Sequence, residues 1–228
     1  MTYDHEAMIG VLALEAERAG AVVVGEDLGT FEPWVQDYLA SRGLLGTSIL
    51  WFEQRDGAPL PPGEYRRQCL AAVNTHDLPP TAGYLAGVHL VLRERLGLLA
   101  GSAEAERERA AREIGVYLQA AQQNGFLPAG PVEHLQRLAE QDPDRIVVAL
   151  YRYLAQAPSV LQAVALVDAV GEVRIQNQPG TQQHQYPNWE VPLADGQGHP
   201  VLVDRLDEVP GFARLLSAVD DQLRQPTA

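Results

Sequence analysis

Short apolar runs and amphipathic stretches alternate through the first third of the chain. From Asp4 to Ala19, an acidic opening (Asp4, Glu6), an apolar set (Met8, Val11, Leu12) and a stop at Gly20 predict a helix. Ala21 to Val24 then reads as a strand of the buried parallel kind. Thr30 is the expected cap of the next helix, with Pro33 in its first turn, Val35, Tyr38 and Leu39 on its inner face and Gly43 at its end. Thr47 to Phe52 and Cys69 to Asn74 are the next two strands, separated by a Gly/Pro-rich, charged loop from Glu53 to Arg67. Helix alternating with strand predicts parallel pairing through right-handed crossovers.

Beyond Asp77 the period lengthens. Helical patterns run over Glu104 to Asn124, Pro131 to Glu140 and Asp142 to Ala157, and the dense charge alternation from Glu104 to Glu113 reads as a solvated face. Val160 to Leu166 fits either a fourth strand or a continued helix, because periodicity does not separate the two in so short a run. Gln176 to Trp189 is a polar loop, and Pro210 to Leu223 carries Phe212, Leu215, Leu216 and Val219 at the spacing of a closing helix.

Composition narrows the classes of partner. The 228 residues are 46% hydrophobic, enough for a substantial core. Seventeen Lys and Arg against 30 Asp and Glu leave a net charge of -13, which repels nucleic acid and anionic membrane surfaces. Cys69 is the single cysteine, so no intramolecular disulfide forms, and no Cys/His group has zinc-finger spacing. His5, His89, His134, His184 and His199 are scattered, and neither a metal nor an organic cofactor is implied. The first residues lack the basic and apolar regions of a signal peptide, and a cytoplasmic protein is expected.

Candidate chemistry sits where apolar runs end in polar residues. Val22-Val23-Val24-Gly25 leads into Glu26-Asp27, and the Cys69 run leads into Asn74-Thr75-His76-Asp77. Each acid should emerge at the C-terminal end of a strand, where α/β barrels place reactive groups. Asp27 reads as structural. Trp51, Phe52, Glu53 and Trp189 fit either packing or the lining of a cleft, and Pro179-Gly180 fits a turn as well as a binding loop.

Taken together, Gly25-Glu26-Asp27-Leu28-Gly29-Thr30, Asn74-Thr75-His76-Asp77, Gln176-Asn177-Gln178-Pro179-Gly180-Thr181 and Tyr186-Pro187-Asn188-Trp189 resemble the amylomaltase family of 4-alpha-glucanotransferases, in the family's order from about Tyr3 to Trp189. The resemblance implies a (β/α)8 TIM barrel that transfers segments of alpha-1,4-glucan to glucose or maltooligosaccharide acceptors by a retaining double displacement. Glu26 would be the acid/base, Asp77 the transition-state stabiliser, His76 a partner of sugar hydroxyls and Asn177 a further sugar contact. A retaining enzyme also needs a nucleophilic carboxylate about 5 to 5.5 Å from the acid/base. No residue matches it, and Asp4, in a helix opening, is not a candidate. The expectation is therefore an α/β chain forming the C-terminal half of the barrel with a helical insertion or flank. Its barrel elements fall in 1–77 and about 158–189, a mainly helical segment in about 80–157, and a C-terminal helical stretch in 204–228. The missing N-terminal half would be its partner. Such a piece should be inactive alone; an alpha-glucan hydrolase and a non-catalytic carbohydrate-binding remnant are the alternatives. An enzyme of sugar phosphates is disfavoured by the acidic charge and the lack of a glycine-rich phosphate cradle.

Overall fold

The computed structural model describes residues 3–225. The first two residues, and the last three of the predicted 204–228 stretch, lie outside the described residues. Helix α1 (His5–Ala19) has the predicted limits for local reasons: Asp4 Oδ1 accepts from the Ala7 amide at 3.0 Å, and Gly20 closes the other end with a left-handed φ of 60°. Its apolar positions stay in solvent, Met8, Val11 and Leu12 being exposed. Tyr38 holds it to α2 (Val35–Ala40) through its hydroxyl on His5 O, and Arg42 pairs with Glu6. Trp34 rather than Thr30 stands at the start of α2, without a side-chain cap.

Strands β1 (Gly46–Ile49), β4 (Cys69–Ala72) and β5 (Leu161–Ala163) form one parallel sheet in the order β1-β4-β5. The ambiguous Val160 run is thus a strand where it pairs with β4, and it turns helical only at α8 (Leu166–Val170). A small hairpin, β2 (Gln54–Arg55) with β3 (Ala58–Pro59), lies within the loop between β1 and β4. The predicted Ala21–Val24 strand shrinks to a single parallel bridge between Val24 and Leu45, and it is not buried: Val22 is 67% exposed. The cause is its edge position. Val23 O and Gly25 N both bond Leu45, and no described strand pairs with the other side.

Paired residues in a parallel sheet share a face. Leu50, Ala71 and Val73 point into the main core, which they share with α5 (Ala103–Gln123), α6 (Val132–Gln141), α7 (Pro143–Leu154) and α9 (Pro210–Leu223). Tyr117 and Leu118 of α5, Leu135 of α6 and Leu150 of α7 are almost wholly buried there. The opposite face carries Thr47, Ile49, Leu70, Ala72 and Ala163, and it borders an open cleft with the start of α8 at its rim. One face of the sheet is therefore packed on helices, and the other is largely apolar, with Ile49 and Ala72 buried and Thr47, Leu70 and Ala163 partly exposed to the cleft.

Two short helices within the segment of about 80–157 expected to be mainly helical, α3 (Thr81–Leu85) and α4 (Val88–Arg95), carry the chain away from β4. Gly83 lets α3 lie directly on the 173 segment, since a Cβ there would stand 2.2 Å from Val173 O. No helix among the described residues is long and apolar enough to cross a membrane.

Candidate active site

Glu26 follows the bridged Val24 by two residues, and His76-Asp77 lies beyond the end of β4, two strand spacings or roughly 10 Å across the sheet. The cleft over the open sheet face encloses about 470 Å³ and is lined by Glu26, Asn74, Thr75, His76 and Gln176 above the apolar floor. Glu26 is its only lining carboxylate among the described residues, and it makes no hydrogen bond or ion pair there. Asp77 instead borders an adjacent cleft of about 460 Å³, with Leu78 at the edge of both.

Asp77 gathers the other predicted residues. Its Oδ1 accepts from Asn177 Nδ2 at 2.5 Å and stands 3.8 Å from His76 Nε2, while its amide donates to Thr75 Oγ1 at 3.2 Å. The His76 ring lies 5.2 Å from the indole of Trp189 at 55°. Asp77, His76, Asn177 and Trp189 therefore form one exposed polar-aromatic patch, joining the β4 end to the 176–189 loop. Trp51 is not part of it: its ring packs on Tyr84 at 4.9 Å and Tyr117 at 4.7 Å. Glu53 accepts from Ser48 Oγ and borders a separate recess with Asp27 and Arg66.

Beside Glu26, Asp27 is structural. Its carboxylate is buried, accepts from the Thr47 amide at 2.6 Å and pairs with Arg66 at 2.6 Å. Burial alone would raise its pKa, but the guanidinium and the amide outweigh that and hold it below the ordinary 3.8. The unfolded chain then binds protons more readily at this group, so its contribution is complete above the unfolded value and is lost as pH falls through the lower folded one. Asp27→Asn should lose less stability than the wild type between about pH 5 and 3 in urea titrations. Glu172, also held low against burial by Arg174, leaves a residual slope in both proteins.

The sequence reading missed Asp168, which anchors the Asp77 loop from behind. Its buried carboxylate accepts from the Thr81 amide (2.6 Å), Thr81 Oγ1 (2.7 Å), Asn74 Nδ2 (3.0 Å) and the Tyr151 hydroxyl (2.8 Å). Both ends of the segment 74–81 are thus fixed to α8 and α7. Burial pushes the Asp168 pKa up, and the four donors oppose it. A lone acid in the apolar run from Val160 to Val170 was the available signal, because a buried charge requires partners.

A parallel sheet with helices packed on one face, carrying carboxylate, imidazole and amide groups to a cleft beyond its strand ends, defines an α/β fold. The chain belongs to the 4-alpha-glucanotransferase family, whose sequence model matches residues 1–197. It is 56% identical over 222 residues to a 4-alpha-glucanotransferase of Mycobacterium tuberculosis, covering 95% of this chain and 29% of that protein. A Haemophilus influenzae 4-alpha-glucanotransferase is 28% identical over 193 residues, 84% of this chain and 27% of that one. The crystal structure of amylomaltase from Corynebacterium glutamicum superposes with a TM-score of 0.90 at 49% identity, over 96% of this chain and 31% of that one. An amylomaltase from Streptococcus agalactiae, solved with acarbose, shares the fold with a TM-score of 0.53 at 19% identity, over 94% of this chain and 34% of that one. The chain therefore spans about three tenths of the length of these relatives.

Proposed function

We propose that this chain carries part of the active site of a 4-alpha-glucanotransferase, as one side of a (β/α)8 barrel. Glu26 is the acid/base that protonates the departing glycosidic oxygen and then deprotonates the incoming sugar hydroxyl. Asp77 stabilises the transition state, and His76 and Asn177 bond sugar hydroxyls. The observation that carries this reading is the 2.5 Å contact of Asn177 with Asp77, which unites two distant blocks of sequence beside the Glu26 cleft. The consecutive strand order and the open apolar face support the barrel, since a closed barrel fills its interior with side chains from all its strands. Alpha-1,4-glucans and maltooligosaccharides are the proposed ligands, in keeping with the acarbose bound by the Streptococcus agalactiae amylomaltase.

Two features favour binding without turnover in the isolated chain. Glu26 is exposed on a segment paired on one side only, so no described element closes over it to exclude water. Nor does its cleft hold a second carboxylate to form the glycosyl-enzyme. Incubated with maltotriose, the isolated chain should make no longer maltooligosaccharides; their appearance refutes the assignment of an incomplete site. New reducing ends without longer products would mark a hydrolase instead.

A further inference from the structure

We propose that Trp189 is a stacking platform for a glucosyl ring beside Asp77 and Asn177, held in place by a loop that maintains it in an unfavourable backbone conformation. The inference rests on the glucan reading above and adds a recognition residue to it.

Trp189 has φ of 64°, one of only two non-glycine residues among the described ones in the left-handed region. A bulky side chain is disfavoured there, and such a conformation persists only where its surroundings over-determine it. They do so here. The Trp189 amide donates to Gln176 O at 2.9 Å, Asn188 Oδ1 accepts from the Gln178 amide at 2.7 Å, and Asn188 Nδ2 donates to Thr181 Oγ1 at 2.9 Å. Just upstream, the buried Tyr186 donates its hydroxyl to Ile175 O.

Packing does not explain the residue. Trp189 is 63% exposed, and its one aromatic neighbour is His76. A tryptophan kept in solvent at a strained backbone position offers its apolar surface to something else. The C–H-rich face of a pyranose is such a partner: a flat apolar surface edged by hydroxyls, which Asp77, Asn177 and His76 are placed to bond. The other exposed tryptophan, Trp34, differs in packing against two rings, edge-on to Tyr38 at 5.4 Å and 5.5 Å from His5.

The test titrates acarbose and maltotriose into the wild-type chain, Trp189→Phe and Trp189→Gly by calorimetry, with thermal unfolding of each. Trp189→Gly should weaken binding roughly tenfold or more while Trp189→Phe stays within about threefold. The glycine variant should also melt at or above the wild-type temperature, because glycine accepts the positive φ. Equal affinity of wild type and Trp189→Gly, or a melting temperature of the glycine variant well below wild type, overturns the platform and leaves the glucan reading standing. No binding by the wild type overturns both.

Discussion

Replacing Asp168 with alanine should destabilise the chain by about 3 kcal/mol or more in urea or guanidinium titrations, a loss at the severe end for single substitutions. Four donors converge on this carboxylate, and all lose their acceptor at once. A buried donor without a partner costs about 1–3 kcal/mol, and alanine leaves no room for full relaxation because Tyr151 and Thr81 are themselves enclosed. Asp168→Asn should cost less, since its amide oxygen still accepts. Its pH dependence distinguishes it further. Burial raises the Asp168 pKa, so the aspartate's stabilising contribution is complete below its unfolded value and diminishes as pH rises through the folded one, the reverse of Asp27. Asn removes that slope. Asp204→Ala, at an exposed position, should stay within about 0.5 kcal/mol. A loss that small for Asp168→Ala would mean that the segment 74–81 is not held from behind.

The second large effect is expected in catalysis. A chimaera in which this chain replaces the matching 31% of the Corynebacterium glutamicum amylomaltase should disproportionate maltotriose, and Glu26→Gln in it should lower kcat by about 10²–10⁴. Glutamine keeps the size of the side chain but has no acidic proton to give to the leaving oxygen and no carboxylate to take one back. Asp77→Asn should also lower kcat, because it removes charge from beside the developing oxocarbenium ion rather than a binding contact alone. Asp27→Asn should leave kcat nearly unchanged while weakening the fold in neutral solution, which separates the two neighbouring acids by measurement. An active chimaera indifferent to Glu26→Gln would remove the acid/base assignment.

Local sequence signals suffice where local physics decides. Asp4 and Gly20 cap α1 as their side-chain and backbone chemistry dictates, and α5 to α7 and α9 follow their helical period. The edge segment at Val22 to Val24 departs from the expected buried strand because burial of a strand is not a property of the strand. It depends on neighbours, and these valines have a partner on one side only. The same reason left β5 undecided until β4 supplied its hydrogen bonds. At the site, motif residues separated by a hundred positions, Asp77 and Asn177, could be named from the sequence, but their contact could not. Asp168 is not legible as an anchor because its four donors belong to three residues far off in the chain, Asn74, Thr81 and Tyr151, and a single acid within an apolar stretch does not announce which donors will meet it. Trp189 was ambiguous until its exposure and positive φ were visible.

The central claim is that Glu26 and the Asp77-Asn177 pair address one sugar chain across strand ends that stand two spacings apart, with β1 between them. Backbone amide NMR of the isolated chain during titration with acarbose tests it most directly. The account predicts saturable shifts at Glu26, His76, Asp77, Asn177 and Trp189 together, with α5 to α7 unmoved. Shifts at Asp77 and Asn177 that leave Glu26 untouched, or shifts confined to another surface, would contradict it.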